Sequence, residues 1–237
     1  VKHQAFMSSH QWRQRYWARS QLGYPSFRAA RPNATHAALA NLERDGRLVG
    51  LITQNVDRLH QQAGQQNVID LHGRLDRVIC MSCESMVSRG RVQQWLEEHN
   101  PDLLQAEFAS APDGDADILM DFSSVNVPEC AQCGGILKPH VVFFGDTVRG
   151  EVVDTANRWV DEADAMLILG SSLMVFSGFR FVRRAHERGI PIAAINRGVT
   201  RADALLSYKL QADCGAALQE VIRPTATQPD VEHSGCD

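Results

Sequence analysis

Two Cys-x-x-Cys pairs constrain the fold of this chain more than any other feature. They are Cys80-Met-Ser-Cys83 and Cys130-Ala-Gln-Cys133. Tetrahedral thiolate coordination favours Zn²⁺, and a site with four protein ligands is structural because it leaves no position for a substrate. Redox pairs or free thiols are the alternatives. Because both pairs have the same spacing and flank one polar region, we predict that the four cysteines bind a structural zinc ion that stabilises this region.

Composition narrows the class of protein. The net charge of −4 gives no basic footprint of a nucleic-acid-binding protein, and no apolar run approaches the roughly 20 residues that cross a bilayer. Six cysteines in 237 residues are too few for a disulfide scaffold. The pairs therefore indicate a reducing compartment, either the cytoplasm of a bacterium or a mitochondrial matrix. We predict a monomer without nucleic-acid or membrane partners.

Short apolar runs alternate with helical patterns along most of the chain. This order is typical of an α/β fold with a doubly wound parallel sheet, the Rossmann-like fold. The predicted strands are residues 48–53, 68–71, 141–144, 165–169 and 191–195, with a last strand near Lys209. The predicted helices are residues 11–20, 33–45, 91–99, 151–163, 176–188 and 216–222, and Asn33 is the expected N-cap of the second.

Residues 74–137 interrupt this alternation and contain both cysteine pairs. We predict that they form a small zinc-binding insert between two parts of the Rossmann-like domain, residues 1–73 and 138–222. The first part also includes an N-terminal helical segment that belongs to the small domain. Residues 223–237 are polar and are predicted to be a disordered tail.

His72 is the candidate catalytic residue. It follows the predicted strand 68–71 and precedes Gly73. This position is the carboxyl end of a strand, where ligands bind in open α/β sheets. An imidazole that titrates near neutrality suits a general base. A structural histidine is the alternative, and it is the preferred interpretation for His36, His60 and His140.

Three polar segments follow other predicted strands. Gln54-Asn55-Val56-Asp57 is placed to hydrogen-bond a ribose or an amide, and a helix cap by Asn55 or Asp57 is the alternative. Gly170-Ser171-Ser172 and Asn196-Arg197-Gly198 are small or polar turns that let a phosphate approach backbone N–H groups. Together these turns favour a nucleotide cleft, although the sequence contains no Gly-x-Gly-x-x-Gly motif and no P-loop.

The same motifs occur in the order and rough spacing of the sirtuins. They are joined by Lys138-Pro-x-Val-Val-Phe-Phe-Gly-Asp146 and by Arg15-Tyr-Trp-Ala-Arg19. The chain resembles this family over about residues 10–222 and looks most like its class II, sirtuin-4-like branch. Sirtuins are NAD-dependent protein-lysine deacylases, so the resemblance implies an enzyme that releases nicotinamide and O-acyl-ADP-ribose. Its partners would be NAD and acyl-lysine proteins or peptides. The activities that the resemblance covers include a lipoamidase and a deacylase that prefers long or acidic acyl groups.

The resemblance also implies roles for individual residues. It makes His72 the catalytic base and Cys80, Cys83, Cys130 and Cys133 the zinc ligands. It places NAD against Gln54, Asn55, Asp57, Gly170, Ser171, Ser172, Asn196, Arg197, Gly198 and Cys214. It implies that a substrate peptide adds as a strand to Val141, Val142, Phe143, Phe144 and Gly145. In the desuccinylase branch of the family, a Tyr-x-x-Arg pair binds an acidic acyl chain, and Tyr16 and Arg19 match this pair. A structural role for Arg19 in the small domain is the alternative.

Two family segments do not occur in the sequence: the Gly-Ala-Gly-x-Ser loop, which grips the diphosphate, and the Gly-Ile-Pro-Asp segment, which covers nicotinamide. We expect them upstream of Val1, together with a central strand, because the chain starts at Val rather than Met. The 237 residues alone are therefore expected to bind NAD weakly. Mono-ADP-ribosyl transfer and a catalytically impaired zinc-ribbon interaction module are the alternative functions.

Overall fold

The computed structural model describes residues 1–105, 109–110, 116–117 and 121–222. The predicted tail lies outside the described residues. The helices are α1 His3–Ser8, α2 His10–Ala29, α3 Ala34–Arg44, α4 Leu59–Gln62, α5 Arg89–His99, α6 Gly150–Glu162, α7 Phe176–Glu187 and α8 Cys214–Ile222. The strands are β1 Leu51–Thr53, β2 Val68–Asp70, β3 Gly73–Cys80, β4 Met86–Ser88, β5 Ala109–Ser110, β6 Ala116–Asp117, β7 Leu137–Val141, β8 Met166–Leu169, β9 Ile192–Ile195 and β10 Tyr208–Leu210.

Two parallel sheets form the Rossmann-like part, and the predicted α/β class is confirmed. One sheet pairs β1 with β2, and the other has the order β10-β9-β8. Helices α6 and α7 cover them with an apolar face, and their buried residues join a core with Ile69, Ile168 and Ile192. Within the described residues no backbone ladder joins the two sheets.

A three-stranded antiparallel sheet with the order β4-β3-β7 carries the cysteine pairs. The predicted strand at residues 141–144 is wrong, because the strand is Leu137–Val141 and it pairs antiparallel with β3. The run Val-Val-Phe-Phe suggests a buried strand, but Phe144 is 67% exposed and makes only an isolated bridge to Lys2. The apolar run instead leaves the sheet as a loop.

The N-terminal helices pack on this antiparallel sheet. Helix α2 is longer than its predicted range, and α1 was not predicted at all. Phe6 and Trp17 are fully buried in one cluster with Val78, Leu96 and Leu137. The metal-binding part of the molecule therefore obtains much of its apolar core from the first 17 residues of the chain.

Helix α3 begins as predicted. The Asn33 side chain accepts hydrogen bonds from the backbone N–H groups of Thr35 and His36, at 3.0 and 3.2 Å, and the His36 ring accepts one in return from the Asn33 backbone. Such a reciprocal cap satisfies N–H groups that the helix itself leaves unpaired. Among the described residues, no helix has the length and apolar content to cross a membrane.

Candidate active site and metal centre

His72 lies in the turn between β2 and β3, at the carboxyl end of β2. Its Nδ1 lies 3.2 Å from the Gln54 carbonyl oxygen and its Nε2 lies 2.7 Å from the Ser177 hydroxyl. A carbonyl oxygen can only accept, so Nδ1 carries the proton and Nε2 accepts from Ser177. Burial lowers the pKa of His72 and the hydrogen bond to Gln54 opposes this shift. The ring is therefore neutral at pH 7, with a basic Nε2 that faces the start of α7.

Gly73 is required next to His72 because the backbone turns there with a φ of +81°. A Cβ atom at this position would lie 2.2 Å from the His140 carbonyl oxygen. The His72 carbonyl accepts a hydrogen bond from Val142 N–H at 2.9 Å. The backbone of His72 is thus fixed by the conformation of Gly73 and by the hydrogen bond from Val142, in the loop that follows β7.

Gln54 joins the two parallel sheets. Its Nε2 donates to the Ser171 hydroxyl at 2.8 Å. Gly178 of α7 approaches the same side chain so closely that a Cβ atom would lie 2.9 Å from it. Three of the predicted site residues, His72, Gln54 and Ser171, are therefore brought together, and Ser177 and Gly178 complete the group. The last two were not singled out in the sequence.

The rest of the Gln-Asn-Val-Asp segment forms a turn. Asp57 accepts a hydrogen bond at 3.0 Å from the N–H of Leu59, the first residue of α4, whereas the N-cap of this helix is Arg58. Asn55 is exposed, and its backbone N–H donates to the Thr53 hydroxyl. Asn55 thus presents its side chain to solvent at the edge of β1.

Two buried histidines pack together beneath this turn. The rings of His36 and His60 have centroids 4.5 Å apart, and each residue is 9% exposed. Burial lowers the pKa of both rings, His36 lowers that of His60 further, and the Asp57 charge opposes the shift in each. Asp70 also opposes it at His60. Both rings are therefore neutral in the folded protein at pH 7.

This pair predicts acid lability. The unfolded chain protonates these two histidines near pH 6.5, whereas the folded chain does so only at lower pH. The contribution of the pair to stability is therefore constant above pH 7.5 and falls as the pH drops below 6.5. Each fully shifted histidine contributes a slope of up to about 1.4 kcal/mol per pH unit. Urea unfolding at pH 7.5 and 5.5 measures the loss, and His60→Gln should reduce it. An equal loss in that variant would contradict the assignment.

A second group of predicted residues lines a cavity of about 580 Å³. Gly170, Asn196, Arg197 and Cys214 lie on its wall with the start of α3 and the start of α8. Cys214 donates to the Ile195 carbonyl at 3.2 Å, and burial raises the pKa of its thiol, so it packs rather than reacts. Asp213, which the sequence analysis did not select, caps α8 and pairs with Arg197 at 3.0 Å. Ser172 and Gly198 are exposed beside these turns.

The loop after β7 is anchored by a buried lysine. Lys138 is 4% exposed, lies 2.9 Å from Asp146, and its ammonium group lies 4.6 Å from the centre of the Phe143 ring. Burial raises the pKa of Asp146, but the hydrogen bond and charge of Lys138 outweigh this and lower it. On the other side, the Phe144 backbone exchanges hydrogen bonds with Val1 and His3, at 3.2 and 2.9 Å.

Tyr16 lies next to this loop. It is 9% exposed and packs edge-on against Phe6, Trp17 and Phe143, with ring centroids 5.2 to 5.5 Å apart. Arg19 follows one turn later on α2 and is half-buried. The structure therefore brings Tyr16 to the predicted peptide-binding segment.

The four cysteines form one cluster that fits a zinc ion. Their sulfur atoms all lie within 4.8 Å of one another, with Cys80 and Cys133 at 3.5 Å and Cys83 and Cys130 at 3.7 Å. Ligands of tetrahedral zinc at bond lengths of 2.3 Å lie about 3.8 Å apart. Each pair ends in a tight turn, since Glu84 and Gly134 have φ values of 58° and 70°. A closed thiolate set of this kind is the structural zinc site that the sequence predicts.

The sequence of this chain matches the model of the Sir2 family over residues 1–177. The chain therefore belongs to the Sir2 family, and the resemblance to sirtuins is confirmed.

Individual relatives place it more closely. The NAD-dependent protein deacetylase 2 of Bradyrhizobium diazoefficiens is 58% identical over 219 residues, which cover 92% of this chain and 80% of that protein. The mitochondrial NAD-dependent protein lipoamidase sirtuin-4 of Bos taurus is 46% identical, with 92% of this chain and 70% of that protein covered. A solved complex of a mutant Sir2 homologue with ADP-ribose has a TM-score of 0.73 at 31% identity, and covers 94% of this chain and 77% of that one.

Proposed function

We propose that this protein is an NAD-dependent protein-lysine deacylase in which His72 is the general base. The observation that carries the proposal is the state of the His72 ring. Its Nδ1–H is committed to the Gln54 carbonyl, and its neutral, basic Nε2 faces a hydroxyl group at 2.7 Å. A base must lie within hydrogen-bond reach of the proton that it removes. Ser177 demonstrates that a hydroxyl group fits at this position.

The chemistry of the cofactor defines what His72 has to do. NAD, when bound, would supply an electrophilic ribose carbon, with nicotinamide as the leaving group, for attack by the acyl oxygen of the lysine. His72 would take the proton of a ribose hydroxyl group at Nε2, the ring atom that accepts from the Ser177 hydroxyl in this structure. Gln54 holds the proton on Nδ1 throughout and so keeps Nε2 available.

The cavity beside Gly170 and Cys214 is our proposed site for the adenosine half of the dinucleotide. Gly170 has a φ of +57° and leaves its turn open at the carboxyl end of β8. The wall of this cavity is polar, because Asn33, Asn196 and Asp213 lie on it, and this supports binding of a polar ligand. Ser171, Ser172, Arg197 and Gly198 are proposed to complete the contacts to this part of the dinucleotide. Gln54, Asn55 and Asp57 are proposed to line the pocket for nicotinamide and its ribose.

The peptide is proposed to bind along residues 141–145. Within the described residues the Gly145 peptide group makes no backbone hydrogen bond, whereas Phe144 is already paired with Val1 and His3. The Phe143 carbonyl already accepts from Asp146 N–H at 2.9 Å. A guest strand therefore has the Gly145 peptide group and the Phe143 N–H available for strand addition. Tyr16, packed on Phe143, and Arg19 are proposed to contact the acyl chain, so that acidic or long acyl groups are accepted along with acetyl.

Zinc has no chemical role in this proposal. The four thiolates close its coordination sphere, and the ion stabilises the sheet β4-β3-β7 and, through it, the loop that begins at Val141. We assign residues 74–137 to the zinc-binding insert and residues 1–73 and 138–222 to the Rossmann-like domain. Free cysteines suit a reducing compartment, and we propose a cytoplasmic enzyme.

The proposal is tested with the protein made from its complete coding sequence. We expect nicotinamide release from NAD only when an acyl-lysine peptide is added, with O-acyl-ADP-ribose formed in equal amount. Peptides with acetyl, glutaryl and lipoyl groups on one sequence rank the acyl preference. Transfer of radiolabel from NAD to protein, without deacylation of any peptide, would instead indicate mono-ADP-ribosyl transfer. No NAD consumption would contradict both.

A further inference from the structure

Three arginines surround one half-exposed phenylalanine at the start of α7. The guanidinium carbons of Arg180, Arg183 and Arg201 lie 5.6, 6.0 and 5.7 Å from the centre of the Phe176 ring, which is 47% exposed. The whole chain carries a net charge of −4, so this cationic cluster is a local feature. We call it the Phe176 cluster.

The cluster has little compensating negative charge. Arg183 pairs with Glu187 at 3.2 Å, and both side chains are more than half exposed. The nearby Asp203 is already paired with Lys209 at 2.8 Å. Arg180 and Arg201 have no carboxylate ion pair among the residues that the structure describes, and Arg180 Nε is buried there without a hydrogen-bond partner. Guanidinium groups held in this way favour a carboxylate ligand.

The cluster lies beside the proposed base. Ser177, whose hydroxyl lies 2.7 Å from His72 Nε2, is the next residue after Phe176. A helix rises about 1.5 Å per residue, so Arg180 and Arg183 lie about 4.5 and 9 Å along α7 from Ser177. An extended peptide rises about 3.3 Å per residue, so these arginines are within reach of the first few residues on one side of a bound acyl-lysine.

We propose that the Phe176 cluster is a binding site for acidic residues that flank the acyl-lysine, so that the preferred substrates are acyl-lysines in acidic protein segments. This inference rests on the proposed function and deepens it. Two or three Asp or Glu side chains of the peptide pair with Arg180 and Arg201, and with Arg183 in competition with Glu187. The guanidinium groups stack on the exposed Phe176 ring, which provides an apolar surface at this site.

The test compares two peptides with the same acetyl-lysine, one with three Glu residues on one flank and one with Gln at the same positions. Each flank orientation is measured, with the protein made from its complete coding sequence and saturating NAD. We expect kcat/KM to be about ten-fold higher for the Glu peptide in one orientation. This ratio corresponds to the binding free energy that two or three exposed charge pairs contribute together. The preference should decline between 50 and 500 mM salt because these charges are screened.

The double variant Arg180→Gln/Arg183→Gln should lose most of this preference and retain activity on the Gln peptide. Arg180→Lys/Arg183→Lys keeps the charge and should retain part of the preference. Arg28→Gln/Arg91→Gln removes the same charge from the exposed cleft between α2 and α5 and should retain all of it.

The outcomes separate the two proposals. Equal kcat/KM for the Glu and Gln peptides in both orientations would overturn the acidic-segment proposal and leave the deacylase function intact. A preference that survives Arg180→Gln/Arg183→Gln unchanged would also overturn it. Failure to deacylate either peptide would overturn the deacylase function and, with it, this inference.

Discussion

Replacing His72 with alanine is expected to lower kcat/KM for an acyl-lysine peptide by about 10²–10⁴-fold, the range that a positioned general base contributes. The expected cause is loss of the basic Nε2 that faces Ser177, since the Gln54 carbonyl holds the proton on Nδ1. In the proposed mechanism the base acts after nicotinamide has left. Exchange of labelled nicotinamide into NAD should therefore decrease less than formation of the deacylated peptide.

A matched control is His140→Gln. His140 is also half-buried, and burial lowers its pKa in the same direction as that of His72. We expect this variant to stay within a few-fold of the wild-type rate, since among the described residues no hydrogen bond joins the His140 ring to Gln54 or Ser177. If folded His72→Ala protein retained product formation within ten-fold of wild type, another residue would have to be the base.

Replacing Cys130 with serine is expected to release the metal and unfold the antiparallel sheet. Zinc contributes apparent binding free energies of about 10–16 kcal/mol in small zinc-binding peptides, and losing one thiolate removes the closed tetrahedral set. Cys130 is 6% exposed in the cluster that includes Val78, Leu96 and Leu137, so loss of the ion disrupts apolar packing as well. Metal content per chain and near-ultraviolet circular dichroism measure both effects.

Cys214→Ser provides the comparison for this variant. The same atom is changed, but Cys214 lies at the start of α8 and is not part of the cysteine cluster. We expect it to keep a full complement of zinc and a native spectrum. Full zinc occupancy in Cys130→Ser, or a folded metal-free wild type after treatment with a chelator, would show that the ion does not hold the sheet together.

The local features of the site could be predicted from the sequence. Asn33 is predictable as a helix cap because a short polar side chain precedes a helical pattern, and the spacing of the two cysteine pairs predicts one closed metal site. His72 was selected because a strand ends immediately before it. In each case the signal lies within a few residues of the group that it positions.

Contacts between distant segments could not be predicted in the same way. Ser177 is 105 residues from His72, and His36 and His60 meet only because α3 and α4 pack together. The misplaced strand at residues 141–144 has the same origin. A run of four apolar residues does not predict that the ion pair between Lys138 and Asp146 will hold this segment as a loop. It also does not predict the backbone hydrogen bonds between Phe144 and Val1–His3.

The burial of Phe6 and Trp17 against later parts of the chain affects how the protein is made in the cell. The apolar cluster that buries these two side chains includes Leu137, so it cannot form completely before Leu137 has been synthesised. At about 5–20 residues per second, a ribosome reaches Leu137 about 6–24 s after Trp17. During that interval the growing chain exposes two large apolar side chains and one half of a metal site. Cys130 and Cys133 are synthesised only at the end of this period, so completion of the metal site and burial of Phe6 and Trp17 become possible at almost the same point of synthesis.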